Sequence, residues 1–181
     1  MIGEPSPAEV VSFWRDAGPK RWFSKDAGFD DDIRRRFLGR HEDAAAGRLS
    51  LWETTAEGTL ALLILLDQFP RNMFRGQARC YATDPLARQV ANRALKCGYD
   101  QDVPEAERGF FFLPFMHSED MADQKRSVAL YREASDANLS YAERHADIIR
   151  RFGRFPHRNA LLGRATTPEE QAYLDAGGFK G

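Results

Sequence analysis

Residues 59–66, TLALLILL, are apolar on every side of a helical wheel. A helix without a polar face has to be enclosed by other elements, so the rest of the chain must supply a shell around it. The strongly apolar part, Leu60 to Leu66, is also far short of the roughly 20 residues that cross a bilayer. The run then stops at DQFPRNMFRG, residues 67–76, which sets Asp67, Arg71, Asn72 and Arg75 against the most hydrophobic element of the chain. Charged groups entering a core have to be paired or to bind something. Nearly the same phrase returns as GRFPHRN, residues 153–159.

The shell is legible as helices. Ser6-Pro7 with Glu9 reads as a capping box with proline at the first helical position. Val10, Phe13, Trp14 and Ala17 follow at i, i+3, i+4 and i+7. Phe29, Ile33 and Phe37 mark a second helix closed near Gly47, and Thr54 with Glu57 caps the third, through LALLILL. Asp84-Pro85 opens a fourth with Leu86, Val90 and Ala94 on one face and Gly98 as its stop. A fifth starts at Pro104 and runs into FFFLPFM, where Pro114 should kink or end it. Ser118 caps a sixth carrying Met121, Val128 and Tyr131. Tyr141, His145, Ile148, Ile149 and Phe152 form the stripe of a seventh, stopped by Gly153, and Thr167-Pro168 with Glu170 opens a short eighth. No run alternates with period two over a useful length, and no linker or low-complexity stretch interrupts the chain. The expectation is an all-α protein, one domain over residues 1–181, built as a multi-helical array of about eight helices.

Charge and cysteine usage narrow the partners. A net charge of −1 supplies no field for nucleic acid or an anionic membrane, so neither is an expected partner. Cys80 and Cys97 form no CxxC, and MIGEPSPAEV has neither the basic nor the apolar region of a secretory leader, so the reading is a cytoplasmic protein with reduced thiols. No Walker loop, GxGxxG or RNP-type motif is present, and no cofactor is expected. Of 26 basic residues 21 are Arg, whose planar fork grips carboxylates and phosphates bidentately.

The Phe-Pro phrases carry the chemistry. A residue before proline is pushed out of the α region, so Phe69 and Phe155 should be extended, with Pro70 and Pro156 starting new helical turns. Backbone N–H groups at such turns lack partners, and arginines beside them complete a site for phosphate, sulfate or carboxylate. Gln68, Arg71, Asn72, Glu119, Arg154, His157, Arg158 and Asn159 are the candidate ligand residues. A purely structural network stands equally open: Asp67 is spaced to pair with Arg71, and Arg158 to satisfy Glu119 or Asp120. In FFFLPFMHSED, His117 is the proton-transfer candidate, with Asp67 fixing a partner, and Glu119 and Asp120 suit a helix N-terminus. His145 reads as a satisfied core histidine and His41 as a surface one. His117, Glu119 or Asp120, and His145 or His157 are metal-ligand types without a metal-specific spacing, so no metal is expected.

KRWFSKDAGFDDDIRRRF, ALLILLDQFPRNMFRG, FLPFMHSED and YAERHADIIRRFGRFPHRNALLGR together resemble the bacterial family called domain of unknown function 924, over nearly the whole chain. The resemblance implies a tetratricopeptide-like, right-handed superhelical fold and no established activity. Asp67–Asn72, His117–Glu119 and Arg154–Asn159 match family motifs, although Met116 stands where an acidic residue often precedes the His-Ser-Glu phrase. Two functions follow as expectations. One is a pocket for a small phosphorylated or carboxylated metabolite, with hydrolysis or isomerisation as the chemistry. The other is a non-catalytic peptide-binding module, although Trp14, Trp22 and Trp52 read as core anchors rather than as its exposed aromatics.

Overall fold

The structure, a computed structural model, describes residues 5–180; residues 1–4, part of the stretch read above for a leader, and residue 181 lie outside the described residues. All regular elements described are helical: α1 (Pro7–Ala17), α2 (Pro19–Trp22), α3 (Ala27–Ala45), α4 (Ala56–Leu63), α5 (Phe69–Met73), α6 (Asp84–Cys97), α7 (Glu105–Met116), α8 (Met121–Glu133), α9 (Leu139–Phe152) and α10 (Pro168–Asp175). A π turn, Ile64–Gln68, joins α4 to α5 without a break, so nine continuous helices stand where about eight were expected. The addition is α2, a single turn. None of these helices is long and apolar enough to cross a membrane. The chain divides into two compact units, Met1–Pro114 and Phe115–Gly181.

The first unit is organised around α4. Leu60 to Leu66 are each at most 3% exposed, which at about 1.5–3 kcal/mol per buried aliphatic side chain makes this segment the centre of the core. Helices α1, α3 and α6 pack on α4 and its π turn. Trp14 stacks on Trp22 at 5.9 Å and meets Phe69 edge-on at 5.5 Å. The Ser6–Glu9 capping box forms as expected, and Gly98 closes α6 in the left-handed conformation. The cap of α4, however, is Thr55 rather than Thr54. Thr54 belongs to the preceding 3₁₀ turn, where its hydroxyl donates to the Leu51 carbonyl at 2.8 Å. Extended Thr55 accepts from Gly58 N–H at 3.1 Å. Only glycine fits there, because a Cβ on residue 58 would lie 2.2 Å from the Trp52 carbonyl oxygen.

Phe69 overturns the expectation of an extended residue: its φ of −58° and ψ of −37° are helical. The π turn makes this possible. Widening the helix sends the Phe69 N–H back to the carbonyl of Ile64 and releases the carbonyls that follow. Three side chains then capture them. His41 Nδ1 donates to Leu65 at 2.9 Å, Thr83 Oγ1 to Leu66 at 2.6 Å, and Arg71 Nη1 to Asp67 at 2.6 Å. Leu66 is the carbonyl that Pro70, lacking an N–H, cannot serve. His41 is therefore buried at 3% exposure, not on the surface, and burial lowers its pKa.

In the second unit α8 and α9 pair, and Ile148, Ile149 and Phe155 form a core joined by Met121, Phe152, Tyr173 and Phe179. Pro114 does not end α7, which continues to Met116. Gln124, a fully buried side chain, donates to the carbonyl of Met116, the last residue of α7, at 2.7 Å and to that of Ser118 beyond it at 2.6 Å. The cap of α8 is Asp120, accepting from Ala122 N–H at 2.6 Å, rather than Ser118, whose hydroxyl accepts from Asp120 N–H at 3.2 Å. Tyr141, placed in the buried stripe by the sequence, is 55% exposed, because α9 turns inward only from Ala142 and His145. Gly153 in the left-handed conformation, extended Phe155 and the Thr167–Glu170 capping box all follow expectation.

Candidate functional site

The DQFPRNMFRG turn lies in the first unit and is closed by carboxylates. Asp67 is 1% exposed, accepts from the Gln68 side-chain amide and faces Arg71 Nη1 at 3.4 Å. Arg71 also grips Asp84 with both arms of its fork, each at 3.0 Å. Burial alone would weaken the charge on Arg71, but Asp67 and Asp84 outweigh it and shift its pKa upward. Asn72 donates to Asp30 at 2.7 Å, and Arg75 joins the same carboxylate at 2.8 and 3.0 Å. The Asp67–Arg71 pair was legible from its spacing. Asp84 and Asp30 were not, since one reads as a helix start and the other as one acid in a run of three.

HSED and GRFPHRN meet in the second unit. The Glu119 carboxylate accepts from Phe155 N–H at 2.8 Å and from Arg164 at 2.6 and 3.0 Å. Burial would raise its pKa, yet Arg164 and the Phe155 amide hold it below the usual range. Arg164 also donates to Asn159 Oδ1 at 3.0 Å. Glu170, 2% exposed, receives Arg154 at 2.6 and 2.8 Å and Asn159 at 3.1 Å, and Arg154 leads in pulling its pKa down to about 2. Arg164, one arginine among 21 with no local phrase to mark it, is the bidentate partner that the sequence does not single out. Arg158, offered by its position to Glu119 or Asp120, adds its charge to the lowering of the Glu119 pKa. It is 7% exposed, donates to the His117 carbonyl at 3.0 Å and lies 4.5 Å over the Phe155 ring.

Beside this frame three imidazoles gather. The ring of His145 lies 6.4 Å from His117, 5.5 Å from Phe155 and 4.6 Å from Phe179. His157 lies 5.7 Å from Phe155 and 5.2 Å from Phe179. His145 Nδ1 sits 2.7 Å from the Tyr141 carbonyl, and a carbonyl only accepts, so Nδ1 carries the proton and Nε2 the lone pair. Burial, with His117, Arg158 and Arg144 adding positive charge, lowers the His145 pKa to about 4. Among the described residues no group of three or more His, Cys, Asp or Glu side chains is arranged to hold a metal ion.

Fold and side chains together define an all-helical protein with two carboxylate–arginine networks and one histidine–arginine cluster. Residues 10–178 match the family model described as bacterial protein of unknown function (DUF924), and the chain belongs to that family. It is similar to the solved structure of a protein of unknown function, ATU0120, from Agrobacterium tumefaciens. The two share 53% identity with a TM-score of 0.92, over 94% of this chain and 97% of that one. No protein of curated function matches the sequence.

Proposed function

We propose that the protein binds a small anionic ligand, a phosphorylated or carboxylated metabolite, at the histidine–arginine cluster of the second unit. Arg158 and His157 hold the anion, and His117 stands as the proton-transfer group for a hydrolysis or isomerisation. Asp67, Gln68, Arg71 and Asn72 then serve as scaffold in the first unit, as Glu119, Arg154 and Asn159 do in the second. The observation that carries this reading is the contact of His145 and His157 with Phe155 and Phe179, with His117 6.4 Å from His145 and buried Arg158 4.5 Å over the Phe155 ring. A partly buried site beside the Arg158 and Arg144 guanidinium groups favours an anion, and interactions there are stronger than in water. The test is thermal unfolding against phosphate, sulfate and carboxylates, with Arg158→Gln as control. A ligand at 100 times its Kd adds about 2.7 kcal/mol. That is a shift of about 5–11 °C for a chain of this size. The shift should vanish in Arg158→Gln, and its absence in the wild type would refute the reading.

A second reading is a non-catalytic, tetratricopeptide-like right-handed superhelix that docks a peptide in the cytoplasm. It is favoured by a groove of about 350 Å³ along α8 and α9, lined by Val128, Arg132, Glu143, Arg144, Asp147 and Arg150. Peptide capture there would be indifferent to Arg158→Gln.

A further inference from the structure

The position of Phe179 specifies the ligand more narrowly, and this inference rests on the anion reading above. Helix α10 is followed by Ala176-Gly177-Gly178-Phe179. Gly177 takes a φ of +82°, which a side chain rarely adopts, and a Cβ on Gly178 would lie 2.5 Å from the Tyr173 ring and carbonyl. The two glycines thus turn the chain back over Tyr173, whose hydroxyl accepts from Phe179 N–H at 3.0 Å. The turn delivers the Phe179 ring to the histidine cluster, where it meets His145 at 4.6 Å and 66° and His157 at 5.2 Å and 84°. Both are edge-to-face arrangements, the geometry in which aromatic pairs attract beyond their buried area. The Arg144 guanidinium lies 5.4 Å from the centre of the same ring.

We propose that Phe179 occupies an aromatic slot within the anion site, and that the ligand is an anion carrying an aromatic ring. A bare phosphate or short carboxylate makes no use of walls built from His145, His157 and Phe155. A ligand with both parts places its ring where Phe179 now lies and its charge against Arg158. Phe179 is half-buried at the edge of the second unit's core and follows a two-glycine turn at which its ring can swing out. Phe179 is then a stand-in for the ligand ring and competes with it.

The experiment is calorimetric titration with phenylphosphate and with inorganic phosphate, on the wild type, Phe179→Ala and Phe179→Leu. An aromatic pair worth about 0.5–1.5 kcal/mol corresponds to about a two- to tenfold change in affinity. In the wild type phenylphosphate should bind about as tightly as inorganic phosphate, because its ring only replaces that of Phe179. Phe179→Ala should tighten phenylphosphate by about that factor and leave inorganic phosphate unchanged. Equal affinity for the two probes, unaltered in both variants, would overturn the aromatic slot while the anion reading stood. Binding of neither probe by any form would overturn the anion reading itself. Should Phe179→Ala fold poorly, Phe179→Leu retains apolar packing. In the wild type, phenylphosphate should abolish nuclear Overhauser contacts between Phe179 and His145, and their persistence at saturation would overturn the proposal.

Discussion

Replacing Thr83 with Val tests the physics of the π turn. The two side chains have nearly the same shape, so packing changes little, but the donor 2.6 Å from the Leu66 carbonyl is lost. Thr83 caps no helix with its hydroxyl, so no second role is removed with it. Leu66 is 1% exposed, and water does not replace the lost donor. Leaving such a group unsatisfied costs about 1–3 kcal/mol. The expected fall in Tm is about 2–12 °C, at roughly 2–4 °C per kcal/mol. The double variant is the sharper test. In Pro70→Ala a backbone N–H returns at the position that serves the Leu66 carbonyl in an ordinary helix, so Thr83→Val should cost less than half as much in that background. Urea unfolding followed by circular dichroism, with an unchanged slope, measures both steps. Equal costs in the two backgrounds, within the roughly 0.3–0.5 kcal/mol of ordinary additivity, would refute the reasoning.

The histidine site makes stability depend on acid. His145 titrates near 4 in the folded protein against an ordinary 6.5, so its contribution is complete above pH 6.5 and is lost as pH falls from 6.5 to 4. The loss is of order 3 kcal/mol. Denaturant unfolding at successive pH values should show that slope in the wild type and lack it in His145→Phe. Glu170, near 2 when folded against 4.5, contributes above pH 4.5 and loses that contribution as pH falls toward 2. Glu170→Gln should flatten stability in that lower window alone. Asp84→Asn removes the carboxylate gripped by the Arg71 fork and should cost about 3–5 kcal/mol, the range for breaking a buried pair. Loss of less than about 1 kcal/mol, the scale of an exposed pair, would mean that the pair is solvated. Gly58→Ala forces a methyl against the Trp52 carbonyl and should destabilise by about 1–3 kcal/mol in the same assay.

What was legible in the sequence was local. The caps at Ser6 and Thr167 and the stops at Gly98 and Gly153 form because residues within one turn of each other supply both partners. The misplaced caps have the same origin: Thr54 and Thr55, like Ser118 and Asp120, are both cap-competent, and neighbouring turns decide between them. Phe69 was illegible because its conformation depends on donors from His41 and Thr83, which are remote in the chain. His41 sits among charged residues and looks like a surface group until the carbonyl it serves is known. The candidate site divides in the same way. The phrases around His117 and Arg158 stand out by composition, and within the second unit they do converge. Which arginine meets which carboxylate is a matter of three-dimensional distance, so Arg164 carries no mark in the sequence although it grips Glu119 with both arms. Phe179, in a glycine-rich tail after the last helix, carries no periodic signal at all.

The most direct test of the anion site is a titration of the isotope-labelled wild-type protein with inorganic phosphate, following the four histidine rings by NMR at pH 7. His117, His145 and His157 should shift together along one saturable curve while His41, buried in the first unit, stays still. Phosphate leaving all four unchanged, or moving His41 as much as the other three, would contradict the anion reading.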